Sequence, residues 1–301
     1  MPSSIPSPAR SIPIEPLSSH TFSPFGQVIQ NPSLSPHPTK NAQTTANQGT
    51  ALKYIDVANL IDYYPLAPSK KPARAVINMF VCSPRKLRVG KRRSGEGNDG
   101  IHGDGKKLKE KMVFDVKILE RHPFTSQTFI PVGVGKDDKS TRYLVIVAPT
   151  LQISKSRNEV TSRPKAYPTP EILAKKKSLF DIFSHARPSP YTNEKAPPQN
   201  ATRATPNRPK GPGLPDLSNI RAFIADGSQA VTYGAGTWHA PMVVLGEKDI
   251  AFVVVQYAND VALEDCQEVE LKGEGAEEGL AVVVDLEPHE LEKRGKLKAK
   301  L

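Results

Sequence analysis

Cysteine is nearly absent from this 301-residue sequence, where Cys82 and Cys266 are the only two. Two isolated thiols cannot build the dense disulfide framework of a small secreted domain, so the chain reads as intracellular with its thiols reduced. Long apolar runs are missing too. The longest, Tyr143–Ala148 and Ile250–Val255, fall far short of the ~20 residues that cross a bilayer, and no basic start followed by an apolar stretch marks an export signal. A soluble chain with no membrane partner is expected. Phosphate-binding loops are lacking as well: the glycines around His102 and the Gly133-Val134-Gly135 stretch have neither the lysine nor the strand-to-helix setting of such a loop.

What the chain has in abundance is proline and positive charge. Its 29 prolines and long polar runs imply that far fewer than 301 residues pack into a core, which favours one domain with insertions over two domains. A net charge of +10 would ordinarily point to nucleic acid or an anionic surface. Its distribution argues otherwise. Residues 85–111 carry +6 and residues 152–213 carry +8, leaving −4 for the rest of the chain. The basicity therefore belongs to two inserts, 83–111 and 152–213, whose glycine, proline and charge leave too little apolar surface to offset chain entropy. Both are expected to be solvated, disordered loops, the second with ten prolines and one amphipathic pattern over Thr169–Phe183. Met1–Ile12 is expected to be disordered, 13–290 to form the single domain, and 291–301 to be a basic tail.

Outside the inserts the pattern is one of short strands. Order is expected from Ile14–Leu17, with Ser18 or Ser19 capping a turn before Phe22–Phe25 and Gly26–Ile29 as a strand. Ala75–Cys82 is apolar and β-compatible, and Met112–Glu120 reads as one strand. Thr128–Val134 and Tyr143–Ala148 read as a hairpin turning at Gly135–Asp138. Leu217–Ile220 reads as a helical turn before strands at Arg221–Ala225 and Ser228–Tyr233. Ile250–Gln256 is continuous enough to be buried on both faces, with Val269–Leu271 and Gly279–Asp285 as edge strands. Many short strands with glycine turns and no repeating helix define a mainly all-β fold, a barrel or a sandwich with short helices.

The stretch Gly227–Pro241, GSQAVTYGAGTWHAP, is a strand, a turn in which Gly234 and Gly236 supply positive backbone angles, and a histidine entering the next strand. That order aims His239 into a barrel mouth. About a hundred residues earlier, Glu120 and His122 stand two apart, so on a strand they share a face, which Val116 and Ile118 continue.

Three blocks, PLSSHTFSPFGQVI, ILERHPFTSQTFIPV and IRAFIADGSQAVTYGAGTWHAP, together resemble the ureidoglycolate lyase family in order and spacing over roughly 170 to 190 residues once the inserts are removed. The resemblance implies a cupin-like β-barrel, usually a homodimer. It implies a carbon–nitrogen lyase that splits (S)-ureidoglycolate into glyoxylate and urea during purine (allantoin) breakdown. Many members place an arginine two or three residues before a proline after the first long apolar run. Phe80-Val81-Cys82-Ser83-Pro84 has none.

Ureidoglycolate carries a hydroxyl, a carboxylate and a urea nitrogen on one carbon, so cleaving it takes a base, an acid and a cationic clamp. Glu120, His122 and His239 are the expected acid–base centre. Arg221 is the first candidate for gripping the carboxylate. Lys53, Gln127 and Tyr233 are further binding candidates, Gln127 donating to the ureido carbonyl and Tyr233 to an oxyanion. Glu120, His122 and His239 also match the ligand types of a metal cupin, which leaves nickel, manganese or zinc open, although Glu-x-His stands where His-x-His is commoner. The other histidines, His20, His37, His102, His185 and His289, lie mostly in loops. Two other readings stay open: another cupin enzyme, a metal-dependent oxygenase or isomerase, and a non-catalytic binder working through its basic inserts. The expected partners are a small-molecule substrate and a second copy of the chain, without nucleic acid. The ending Ala299-Lys300-Leu301 resembles a peroxisomal import signal, so the expected compartment is cytoplasm or peroxisome.

Overall fold

In the stretch Arg142–Ala148 every residue after Arg142 is buried. Leu144, Ile146 and Ala148 point to one apolar cluster, while Tyr143, Val145 and Val147 point to another. A strand apolar on both sides needs cover on both sides, and the rest of the chain provides it as three layers of sheet.

The computed structural model describes residues 3–34, 43–90, 111–135, 138, 140–151, 213–273 and 279–284. In chain order the elements are β1 (Ser3–Ser7), β2 (Ser11–Ile12), β3 (Ile14–Pro16), α1 (Ser19–Phe22), β4 (Gly26–Ile29), β5 (Gln43–Ala46), β6 (Ala51–Tyr54), β7 (Arg74–Cys82), β8 (Arg88–Val89), β9 (Met112–Asp115), β10 (Ile118–Arg121), β11 (Gln127–Val132), β12 (Arg142–Ala148), β13 (Arg221–Ala225), β14 (Ala230–Tyr233), β15 (Trp238–His239), β16 (Val243–Leu245), β17 (Ile250–Ala258), α2 (Ala262–Asp265), β18 (Gln267–Gly273) and β19 (Ala281–Val284). The expected mainly-β class is what forms, and no helix among the described residues is long and apolar enough to cross a membrane.

The middle layer is an eight-stranded sheet ordered β1-β18-β10-β15-β12-β13-β3, with β16 also on β12. One face packs on the small sheet β2-β19-β9-β8 through Leu119, Ile146, Trp238, Phe114 and Val282. The other face closes against the five-stranded sheet β4-β14-β11-β17-β7 around Phe22, Phe223, Tyr233 and Phe252, whose rings meet edge-on or tilted. These two walls form the cupin-like barrel, and α1, capped by Ser18 accepting from the Thr21 N–H, plugs one end with Phe22.

Several sequence expectations change. Residues 3–12 are not loose: β1 pairs in parallel with β18 and β2 with β19, so backbone pairing orders a segment whose composition looks disordered. Met112–Glu120 breaks into β9 and β10 in different sheets. The Thr128–Val134 and Tyr143–Ala148 segments do not form a hairpin; β11 pairs with β14 and β17 in one wall, and β12 with β13, β15 and β16 in the other. β17 is buried only on its inward side, and β18 and β19 are interior strands completed by the amino-terminal segment. Ile118 is exposed and Val116 lies in the cluster facing the small sheet, so neither continues the Glu120 face.

The start of the first insert is built in: Pro84 bridges to Val244, and Arg88 holds both oxygens of Asp115. Its remainder, 91–110, lies outside the described residues, as do 152–212 with the Thr169–Phe183 pattern, and the tail with Ala299–Leu301. The neck of the second insert is closed: Thr150 bridges to Pro215, and the Leu151 N–H donates to the Leu214 carbonyl at 2.9 Å. At Gly26 an added Cβ would stand 1.9 Å from the Thr232 carbonyl oxygen of the paired strand. Gly26→Ala is therefore expected to pry β4 from β14 and cost about 2–3 kcal/mol, read as a lowered midpoint in urea denaturation.

Candidate active site

His239 is the second residue of β15, a two-residue strand wedged between β10 and β12, opposite Glu120 on one side and Val147 on the other. Directly opposed residues of antiparallel strands project to the same face, so Glu120 and His239 point together into the barrel. The turn before β15 fixes this register. Gly236 has φ +75°, and its N–H donates to the His122 carbonyl at 2.8 Å. The Thr237 hydroxyl donates to the Phe25 carbonyl at 2.9 Å, and the Thr150 hydroxyl to the Gly236 carbonyl at 2.6 Å. Gly236 alone of the two turn glycines takes a positive angle; Gly234 does not.

From the opposite wall Tyr233 lays its ring on His239, 4.0 Å between centroids and 11° from parallel. His122, just past the end of β10, also stacks with His239, at 5.7 Å between centroids. Gln127 stands opposite Tyr233 and also opposite Gln256. Ligand atoms of Glu120, His122 and His239 all lie within 4.8 Å of one another, with both histidines buried. Glu120, His122, His239, Tyr233 and Gln127, five of the seven expected site residues, thus meet in one interior.

The other two do not join them. Arg221 is one strand further along, beyond Val147, and its guanidinium grips the Glu15 carboxylate and donates to the Thr21 carbonyl. A charge engaged by its own carboxylate is not a free clamp. Lys53 is exposed on the separate β5–β6 pair. The role expected of Gln127 is reversed as well. Its Nε2 donates to Gln256 Oε1 at 2.7 Å, so the atom left for a ligand is Oε1, an acceptor.

The electrostatics follow from burial. Burial pushes the His122 imidazole down to about 4, with His239 adding to the effect. It is neutral at physiological pH; its Nδ1–H donates to the Asp265 carbonyl at 2.6 Å, and its Nε2 lone pair faces inward. His239 Nδ1 meets the Thr237 carbonyl at 3.1 Å, which places its Nε2 3.4 Å from Glu120 Oε1, an ion-pair contact without hydrogen-bond alignment. Burial opposes the charge on Glu120, but the two histidines outweigh it and hold the carboxyl below its usual range. Tyr233 is pushed well above its usual value, first by burial, so its hydroxyl keeps its proton.

Among the described residues four buried polar atoms have no hydrogen-bond partner: His122 Nε2, His239 Nε2, Gln127 Oε1 and Tyr233 OH. Buried polar groups are ordinarily satisfied, and four unsatisfied ones around a single pair of histidines mark a ligand site. The three donors Glu120, His122 and His239 also fit a divalent ion: two imidazoles each anchored through Nδ1 to a backbone carbonyl, and one carboxylate. A second group, Glu120, Cys266 and Glu268, is more open, and burial together with Glu120 pushes its thiol up to about 12, which keeps it protonated.

Sequence reasoning missed three contributors. Gln256 is the polar interruption in an apolar strand, a signal open to reading. The Asp265 and Thr237 carbonyls act through the backbone and leave no mark in composition. Arg121, beside Glu120 in sequence, turns the opposite way onto the Trp238 ring at 4.6 Å and Gln267. A separate cleft of about 700 Å³, lined by Arg85, Lys86, Phe114 and Lys117 among others, holds none of the expected site residues.

A two-walled β fold that buries an imidazole–carboxylate cluster in its interior is an arrangement suited to acid–base chemistry. The family model described as ureidoglycolate lyase matches residues 9–276. Ureidoglycolate lyase of Schizosaccharomyces pombe is 29% identical over 259 residues, covering 86% of this chain and 91% of the relative. That of Saccharomyces cerevisiae is 28% identical over 258 residues, covering 84% and 91%. One from Burkholderia mallei is 25% identical over 251 residues, covering 83% and 85%. The chain belongs to the ureidoglycolate lyase family.

Because folded His122 binds its proton more weakly than an unfolded histidine, acid favours the unfolded chain between about pH 6.5 and 4. Glu120, whose folded carboxyl is depressed, adds a loss of the same sign as pH falls. Stability in urea is expected to drop by up to about 3 kcal/mol across that window through His122 alone, and His122→Asn to flatten this part of the profile.

Proposed function

We propose that this chain is a ureidoglycolate lyase, releasing glyoxylate and urea. The observation that carries the reading is the set of buried, partnerless atoms around Glu120, His122 and His239, in a chain of this family. Neutral His122 offers the Nε2 lone pair that takes the substrate's hydroxyl proton. As the C–O bond becomes the aldehyde carbonyl, the C–N bond breaks and its electron pair goes to the urea nitrogen. The proton shared by His239 and Glu120 passes to that nitrogen, so one proton leaves oxygen and one reaches nitrogen. Tyr233 O–H donates to the developing oxyanion, and Gln127 Oε1 accepts from a ureido N–H.

With Arg221 engaged elsewhere, the substrate carboxylate is left to neutral donors, because an imidazole and a carboxylate sharing one proton carry no net charge. A divalent ion bound by Glu120, His122 and His239 would supply Lewis acidity at the hydroxyl and added positive charge there.

Purified protein mixed with ureidoglycolate is expected to release urea and glyoxylate in equal amounts; no release above the spontaneous rate would contradict the proposal. His239→Ala, His122→Ala and Glu120→Gln are each expected to lower kcat about 10²- to 10⁴-fold without unfolding the chain, as for acid–base groups. Gln127→Leu should act mainly on KM. Full activity after exhaustive chelation would assign the chemistry to the side chains alone, and activity restored only by one added metal would assign it to the ion.

A further inference from the structure

The cleft of about 700 Å³ lies where the chain leaves β7 for the first insert, and it shares no residue with the centre around Glu120. Its floor is apolar. Phe114, Val116 and Ala240 are buried members of the Trp238 cluster, on the side of the middle sheet away from the imidazoles, and Pro241 joins them. The same cleft is lined by four cations, Arg85, Lys86, Arg88 and Lys117, and by one carboxylate, Asp115. Arg88 takes both oxygens of that carboxylate at 2.7–3.0 Å. Arg85, Lys86 and Lys117 are exposed and have no ion pair among the described residues. Their backbone is tied down. The Arg85 N–H donates to the Val244 carbonyl at 2.9 Å, Leu87 packs on the Trp238 cluster, Arg88 pairs with Val113, and the Lys117 carbonyl accepts from the Leu271 N–H at 2.8 Å. The Arg85 guanidinium lies 5.7 Å from the centre of the Phe114 ring, so charge and apolar floor meet.

We propose that this cleft binds a small phosphorylated metabolite with a flat apolar body, of mononucleotide size, its phosphates on Arg85, Lys86 and Lys117 and its ring on Phe114 and Pro241. Cations gathered around one engaged carboxylate repel one another until an anion joins them, and a cleft lined by one sign of charge concentrates such anions. Phosphate suits this set, because arginine grips it through two parallel hydrogen bonds and lysine adds a point charge. The volume falls in the range of sites for organic ligands. Inorganic phosphate alone would leave the Phe114 floor uncovered, and a lone carboxylate would meet only part of the charge. A nucleic acid needs cations spread along the track of its backbone, whereas these three line one concavity.

Calorimetric titration of the full-length chain with metal-free ATP tests this. One molecule per chain is expected to bind with a Kd below about 1 mM, more weakly as salt rises. Inorganic triphosphate, which has the charge without the ring, is expected to bind at least about fivefold more weakly than ATP. Lys86→Glu and, independently, Lys117→Glu change exposed side chains, so circular dichroism should stay that of a folded β protein while each weakens ATP at least about fivefold. Lys71→Glu, exposed and outside the cleft, should leave ATP binding unchanged. A Kd above about 1 mM would overturn the proposal. So would a smaller gap between ATP and triphosphate, which would leave the apolar floor without a role. A smaller loss in either lysine variant would place the nucleotide elsewhere, on the basic inserts, and overturn it too.

Discussion

The register pair that sets Glu120 opposite His239 is the constraint on which the site depends. A carboxylate and an imidazole Nε2 that face each other at 3.4 Å inside a barrel repel unless a proton or a cation stands between them. The fold holds them there regardless, because β15 is only two residues long and is locked from both sides. It pairs with β10 and β12, and the Gly236 turn is tied to His122, Phe25 and Thr150. A proton between the facing atoms of this pair is what makes the centre an acid, and the neutral, anchored His122 beside it is what makes it a base.

The barrel supplies the rest by exclusion. Aromatic packing of Phe22, Phe223, Phe129 and Tyr233 fills the side of the middle sheet that bears the imidazoles, and the Trp238 cluster packs on its other side. In that setting polar atoms without partners are costly. Among the described residues the molecule keeps four without a hydrogen bond, at Gln127, Tyr233, His122 and His239. Such a cost is tolerated where a ligand repays it, and the donors and acceptors left open match a molecule carrying a hydroxyl, an oxyanion and a ureido group. The dependence of the site on distant chain segments follows: β1 and β2 order the carboxyl-terminal strands, and Asp265, at the end of a single helical turn, orients His122 through its backbone.

Much of this was legible in the sequence, and the reasons differ by residue. Glu120, His122 and His239 stand out because titratable side chains in short β-rich segments flanked by proline and glycine have few structural uses. Tyr233 and Gln127 follow from the same segments. The fold class follows from strand length and turn spacing. Pairing does not: Thr128–Val134 and Tyr143–Ala148 look like a hairpin because closeness in sequence favours it, and only the need to cover β12 on both faces separates them into two walls. Arg221 looks like a clamp until β3 brings Glu15 beside it, a contact 206 residues apart. The order of residues 3–12 is equally invisible, since their backbone pairing is with strands near the other end of the chain.

The central claim is that His122 sits neutral, with its proton on Nδ1 and Nε2 open to the substrate, beside the facing pair His239 and Glu120. Side-chain nitrogen NMR of histidine-labelled protein tests it most directly. The account expects the His122 signals of the Nδ1–H tautomer at pH 7, unchanged down to about pH 5. A doubly protonated His122, or an Nε2–H tautomer, at neutral pH would contradict it.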